Sequence, residues 1–168
     1  MKHLLSEFYS SESAGAIVAH ARGLETPQFE TYGYADIAKR TLFTSSSVFD
    51  IASVTKTFTG AAIALLHQRG ELNVKSPLEV YLPSLTSSRK NRFVTLQDLL
   101  WHISGIPDYL EHFTQDQYPH LVNSDVVEFT KNHIDSSHPG LERKYCNTNY
   151  VLLASIIETV SGQTLNGF

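Results

Sequence analysis

The sequence holds a single cysteine, Cys146, which excludes an internal disulfide and leaves the redox compartment open. It has no apolar run approaching the length of a membrane span. There is no internal repeat, no low-complexity tract, no glycine-rich phosphate loop and no H-E-x-x-H zinc pattern. Charged residues make up only 18% of the chain and sum to -4, with no basic stripe interleaved with aromatics, which argues against a nucleic-acid partner. The eight histidines do not add up to a metal site either. His112, Asp116 and His120 recur every fourth residue, a metal-binding face if one helix carried them, but Pro119 argues against a continuous helix there. They read as surface groups, and no cofactor is expected. Residues 1–13 have Leu4, Leu5 and Phe8 among polar neighbours, too short an apolar stretch for a secretory signal, so they read as a small amphipathic helix. That reading leans toward a cytoplasmic location.

What the sequence does contain is a core. At 168 residues and 42% hydrophobic composition, it has the size and make-up of one globular domain. Residues 14–20 (AGAIVAH) are apolar enough for a buried strand, and residues 28–34 (QFETYGY) alternate. A turn around Gly23 and Pro27 would join them as an antiparallel hairpin. Residues 35–47 are polar and loop-like, and residues 73–83, with two prolines, read as extended loop. Thr95 with Asp98 three residues on opens a short helix through His102, and residues 124–134 form another, with Val126, Val127 and Phe129 as its apolar set. Residues 148–160 are the last helix, closed by Gly162. Strands first and helices afterwards predict an α+β fold with the helices segregated from a sheet.

The stretch with most chemical content is Phe49-Asp50-Ile51-Ala52-Ser53-Val54-Thr55-Lys56-Thr57-Phe58-Thr59-Gly60. An apolar lead-in reaches Ser53, and an apolar helix follows to about Arg69-Gly70. Ser53 then lies at a helix N-terminus, where free N–H groups and the dipole favour developing negative charge. Lys56, three residues on, shares its face. A serine hydroxyl needs a base to become a nucleophile, and a lysine in an apolar, positively polarised setting can be that base. The competing reading is a plain serine N-cap with an exposed lysine. It loses ground because the helix is apolar nearly all round (Val54, Phe58, Ala61, Ala62, Ile63, Leu65, Leu66) and so predicts a central, buried element. A second S-x-x-K, Ser87-Ser88-Arg89-Lys90, sits in a charged run and reads as solvated loop.

Just before the last helix lies Tyr145-Cys146-Asn147. In an extended segment Tyr145 and Asn147 face one side and Cys146 the other. A phenol beside an ammonium can shuttle protons, and an amide can bind a lysine and a carbonyl together. Taken singly, each has an ordinary role as packing or capping residue.

These landmarks together resemble the serine β-lactamase and penicillin-binding-protein superfamily, in its class C-like branch with D-Ala-D-Ala carboxypeptidases and esterases. The resemblance runs through Gly33-Tyr34-Ala35-Asp36, the Ser53 stretch, Leu99-Leu100-Trp101-His102-Ile103-Ser104-Gly105-Ile106-Pro107-Asp108, Pro139-Gly140, Tyr145-Cys146-Asn147-Thr148-Asn149-Tyr150 and Ser161-Gly162, nearly the whole chain. It implies a serine hydrolase that acts through an acyl-enzyme on an ester, amide or β-lactam carbonyl of a small-molecule substrate. Ser53 matches the nucleophile, Lys56 its base, Tyr145 the phenol serving leaving group and water, and Asn147 the amide that orients substrate and lysine. The backbone N–H of Ser53 matches one of two oxyanion donors. His102 to Gly105 matches a landmark taken as structural. Trp101 and Ile103 stand where threonines are common, and Cys146 where serine is usual. Cys146 is not a candidate nucleophile, since it faces away from Tyr145.

The family's third motif, Lys-Thr-Gly or His-x-Gly on a downstream strand, has no match. His138-Pro139-Gly140 has the string but precedes Tyr145 in a loop. The expectation is one partial β-lactamase/DD-peptidase-like domain over residues 1–168: N-terminal helix, β-hairpin and helical subdomain, without the C-terminal sheet strands. The alternative reading is a non-catalytic fragment or pseudoenzyme. Oligomeric state stays open.

Overall fold

A computed structural model describes residues 5, 8–10, 12–86 and 93–168. The predicted N-terminal helix falls mostly, and the Ser87-Lys90 loop entirely, outside the described residues. Contacts gather into two compact units, Met1–Ile51 and Ala52–Phe168.

The first unit carries the strands. β1 (Ala16–His20) and β2 (Gln28–Tyr32) pair antiparallel, with Val18 opposite Glu30 in the centre of the register. This is the predicted hairpin. Residues 35–47 are not simply loop: β3 (Tyr34–Asp36) pairs antiparallel with β4 (Thr41–Leu42) across a register irregularity. The four-residue connection hid a second, very short hairpin, because strands of three and two residues have no readable alternation.

The second unit carries the helices. A 3-10 turn, Ala52–Val54, runs into α1 (Thr55–Gln68), so Ser53 occupies a tightened first turn and the α-helix proper starts two residues later than the sequence predicts. Gly70, with φ 74°, ends the helix as expected. α2 (Leu96–Leu100) opens on the predicted capping box, Thr95 with Asp98. It stops short of His102, which has φ 58° and cannot continue a right-handed helix. α3 (Asn123–Lys131) starts with the Asp125 carboxylate accepting the Val122 N–H at 2.9 Å, and a separate 3-10 turn, Ile134–Ser136, follows. α4 (Asn147–Ser161) ends at Gly162 in the left-handed conformation, φ 69°. The predicted extended loop over 73–83 contains a 3-10 turn at Leu78–Val80 and borders another at Pro83–Leu85. Both prolines flank or start these turns, where a fixed φ and a missing N–H do no harm.

The core of this unit is aliphatic. Ile63 and Leu66 of α1, Leu96 and Leu99 of α2, and Leu152, Leu153, Ile156 and Ile157 of α4 are fully buried, with Leu78 and Leu85 beneath them. Each such side chain contributes roughly 1.5–3 kcal/mol. α1 departs from the expectation of burial all round. Thr59, Ile63 and Leu66 are its buried residues, whereas Val54, Phe58 and Leu65 are exposed. Nearly uniform hydropathy gives no sign of which stripe meets a partner. Among the described residues no helix is long and apolar enough to cross a membrane.

Candidate active site

Two helix starts build the site. α1 is pinned by Ile63 and Leu66, α4 by its four buried aliphatic residues, and the two pack together. The chain enters α1 through Ala52, whose φ of 46° is a strained value for a residue with a Cβ. Ser53 is presented at the surface on the turn that follows, and Lys56 is half-buried. The chain enters α4 through an extended Cys146. Alternation along that segment works as the period of two predicts. Cys146 points inward and is buried, its Sγ 3.4 Å from the Ile106 carbonyl. Tyr145 and Asn147 point the other way.

They meet Ser53 and Lys56. The Tyr145 hydroxyl donates to Ser53 Oγ at 2.7 Å, and Lys56 Nζ donates to the same oxygen at 3.2 Å. Lys56 Nζ also donates to Asn147 Oδ1 at 2.8 Å. The ammonium lies 4.9 Å from the Tyr145 ring centroid and 5.7 Å from that of Tyr150, both within cation–π range. Lys56 and Tyr145 therefore meet at the Ser53 hydroxyl, and Asn147 joins the group through Lys56. A cavity of about 180 Å³ adjoins Lys56 and Asn147, with Thr55, Thr59, Tyr150 and Val151 among its walls.

The electrostatics follow from this packing. Hydrogen bonding to Lys56, then to Ser53, holds the Tyr145 phenol below the usual tyrosine range. Burial pushes the Cys146 thiol up, away from thiolate formation. His102 is buried under the site, stacked on Tyr145 at 4.7 Å between centroids, with Nδ1 accepting the Cys146 N–H at 3.1 Å. Burial first, then the charges of Lys56 and Arg143, lower its pKa and favour the neutral ring.

Sequence reasoning placed His102 in a structural landmark and gave Asp108 no role. Both touch the site residues directly. Asp108 Oδ2 accepts the Asn147 backbone N–H and its side-chain Nδ2, each at 2.8 Å. An acid directly after Gly105-Ile106-Pro107 was the hint the sequence held, and its burial appears only in the structure. The histidines 112 and 120 belong to separate turns, and His112 packs against Phe113, Phe129 and His133. Among the described residues no group of three His, Cys, Asp or Glu stands together as metal ligands would.

Comparison with known proteins identifies the family. The family model described as Beta-lactamase matches residues 4–167. The chain belongs to the beta-lactamase family. Among its family relatives, "Penicillin-binding protein 4*" of Bacillus subtilis is 34% identical over 158 residues, covering 92% of this chain and 34% of the relative. "Beta-lactamase" of Escherichia coli is 31% identical over 136 residues, covering 81% of this chain and 34% of the relative. The fold matches a penicillin binding protein from Bacillus halodurans with TM-score 0.72 and 28% identity, over 90% of this chain and 47% of that one. It matches D-amino acid amidase from Ochrobactrum anthropi with TM-score 0.76 and 27% identity, over 90% and 43%. The fold is thus the mixed α and β fold of this family, represented in part. The chain spans about a third of the length of the curated relatives it matches.

Proposed function

We propose that the protein is a serine hydrolase working through an acyl-enzyme, with Ser53 as nucleophile. The observation that carries this reading is the Ser53 hydroxyl held by both a phenol and an amine, at 2.7 and 3.2 Å. In the first step Ser53 Oγ adds to the substrate carbonyl carbon while its proton passes into the Lys56–Tyr145 pair that holds the hydroxyl. The tetrahedral oxyanion collapses, the bond to the leaving group breaks, and Tyr145 delivers the proton that the leaving group needs. Water, activated by the same pair, then adds to the acyl carbon and frees Ser53. Asn147 orients Lys56 and the substrate carbonyl, and the Ser53 N–H is one oxyanion donor. The substrate class is a small ester, amide or β-lactam, a range supported by relatives named as penicillin-binding protein, beta-lactamase and amidase.

The test is a fluorophosphonate or β-lactam probe followed by peptide mapping of the full-length protein. The adduct is expected on Ser53 and abolished by Ser53→Ala. An adduct on Ser87, Ser88 or Cys146 would overturn the assignment. The share of its relatives' length that the chain spans supports a second reading for these 168 residues taken alone. They would carry the nucleophile and its proton partners without turning substrate over, and Ser53-dependent ester hydrolysis by that chain would refute it.

A further inference from the structure

Asp108 lies one hydrogen bond behind the Lys56–Asn147 pair, and both of its oxygens are committed. Oδ1 accepts the Leu110 N–H at 3.1 Å, the ordinary N-cap of the 3-10 turn Tyr109–Glu111. A residue whose work ended at capping would need that oxygen alone. Oδ2 is given wholly to Asn147, accepting its backbone N–H and its Nδ2, each at 2.8 Å. The side chain is only 8% exposed, so water does not compete freely for these bonds.

The second pair of bonds has a directional consequence. A carboxamide is a donor on one side and an acceptor on the other. With Nδ2 spent on the carboxylate, Oδ1 is the atom left to face Lys56 Nζ, at 2.8 Å. Turning the amide over would set oxygen against carboxylate and NH₂ against the lysine, replacing two attractive contacts with two repulsive ones. Nor can Asp108 drift away from the helix start. Thr148 Oγ1 donates to the Pro107 carbonyl and accepts the Tyr109 N–H, both at 2.8 Å, which ties the chain on either side of Asp108 to the first turn of α4.

We infer that Asp108 is a positioning residue: it sets the Asn147 amide with its oxygen toward Lys56 and so holds the lysine beside Ser53. The inference rests on the reading of Ser53 and Lys56 as nucleophile and base. Asp108 hydrogen-bonds to Asn147 and Leu110 rather than to Ser53 or Lys56, and acts through Asn147.

Two measurements on the full-length protein test it. The first is independent of catalysis: the side-chain amide resonances of Asn147, identified by their loss in Asn147→Ala. Slow exchange of an Nδ2 proton is expected in the wild type and fast exchange in Asp108→Ala. The second is fluorophosphonate labelling, resolved into binding and maximal rate. Asp108→Ala should lower the maximal rate by about 10- to 100-fold, the usual range for a group that orients a functional side chain, with the binding constant little changed. Asp108→Asn can keep its oxygen on the two Asn147 donors by setting its NH₂ against the single Leu110 N–H, and should lower the rate less than Asp108→Ala. In an Asn147→Ala background, Asp108→Ala should change the rate by less than about twofold, because its effect passes through the amide already removed. Equal exchange in wild type and Asp108→Ala, or a full additional loss in the Asn147→Ala background, would overturn the inference. If the wild type is labelled no faster than Ser53→Ala, the reading of the site fails instead, and the exchange measurement still decides what Asp108 does to Asn147.

Discussion

At the scale of single residues, Tyr145 and His102 stack on one another and lead to different tests. Tyr145 is about half exposed, and its hydroxyl is spent on Ser53. Tyr145→Phe keeps the ring stacked on His102 and removes only the hydroxyl. We expect acylation or deacylation to slow by about 100-fold or more, the scale of a positioned acid or base, with thermal stability nearly unchanged. Burst kinetics with a chromogenic ester separates the two steps. His102 supplies a pH signature. Its folded-state pKa is lowered from 6.5, chiefly by burial. Below 6.5 the unfolded chain therefore takes up a proton that the folded one declines. The stabilising effect of the neutral ring is whole above that value and is lost as pH falls through the folded pKa. A protonated Nδ1 also gives up the Cys146 N–H. Denaturant titrations at a series of pH values should show this acid loss in the wild type and a smaller one in His102→Asn, a residue that tolerates the positive φ.

At the scale of elements, the loop between α2 and the Tyr109–Glu111 turn carries the site's support. Gly105 has φ 68°, and a Cβ there would lie 2.5 Å from the His138 backbone nitrogen. Gly162, at the end of α4, has φ 69° but open space around it. The two glycines share one conformation and differ in neighbours, so they separate backbone strain from collision. Gly162→Ala is expected to cost about 1–2 kcal/mol, the strain of a left-handed residue. Gly105→Ala should cost clearly more, because a backbone atom cannot move aside as a flexible side chain would. Urea denaturation measures both. Displacement of this loop should also carry Asp108 away from Asn147 and slow Ser53 labelling.

At the scale of the whole molecule, α1 presents Val54 at 60%, Phe58 at 65% and Leu65 at 39% exposure along one stripe of the helix. Among the described residues the β1–β2 sheet has two strands, so each has an outer edge. Exposed apolar stripes and strand edges both favour association between chains. Expressed as these 168 residues, the protein is expected to self-associate, and Phe58→Ser to shift it toward monomer. Light scattering behind size exclusion reads both, and a monodisperse monomer for the wild-type chain would count against the argument.

The sequence by itself determined the parts that depend on neighbours along the chain. The Thr95–Asp98 capping box, the Gly70 and Gly162 helix ends and the opposite facing of Tyr145 and Cys146 each rest on spacings of a few residues. So does the pairing of Ser53 with Lys56, which lie one helical turn apart. The Ser53–Lys56 pair was readable for that reason, and the family resemblance pointed to Tyr145 and Asn147, whose ordinary roles are packing and capping. Only tertiary structure decided what depends on distant segments. It brought Tyr145 across 92 positions to Ser53. It showed that one stripe of α1 is buried and another is not, which uniform hydropathy cannot express. It also gave Asp108 its place, because the worth of a loop carboxylate lies in which amide it meets, and Asn147 is 39 residues away.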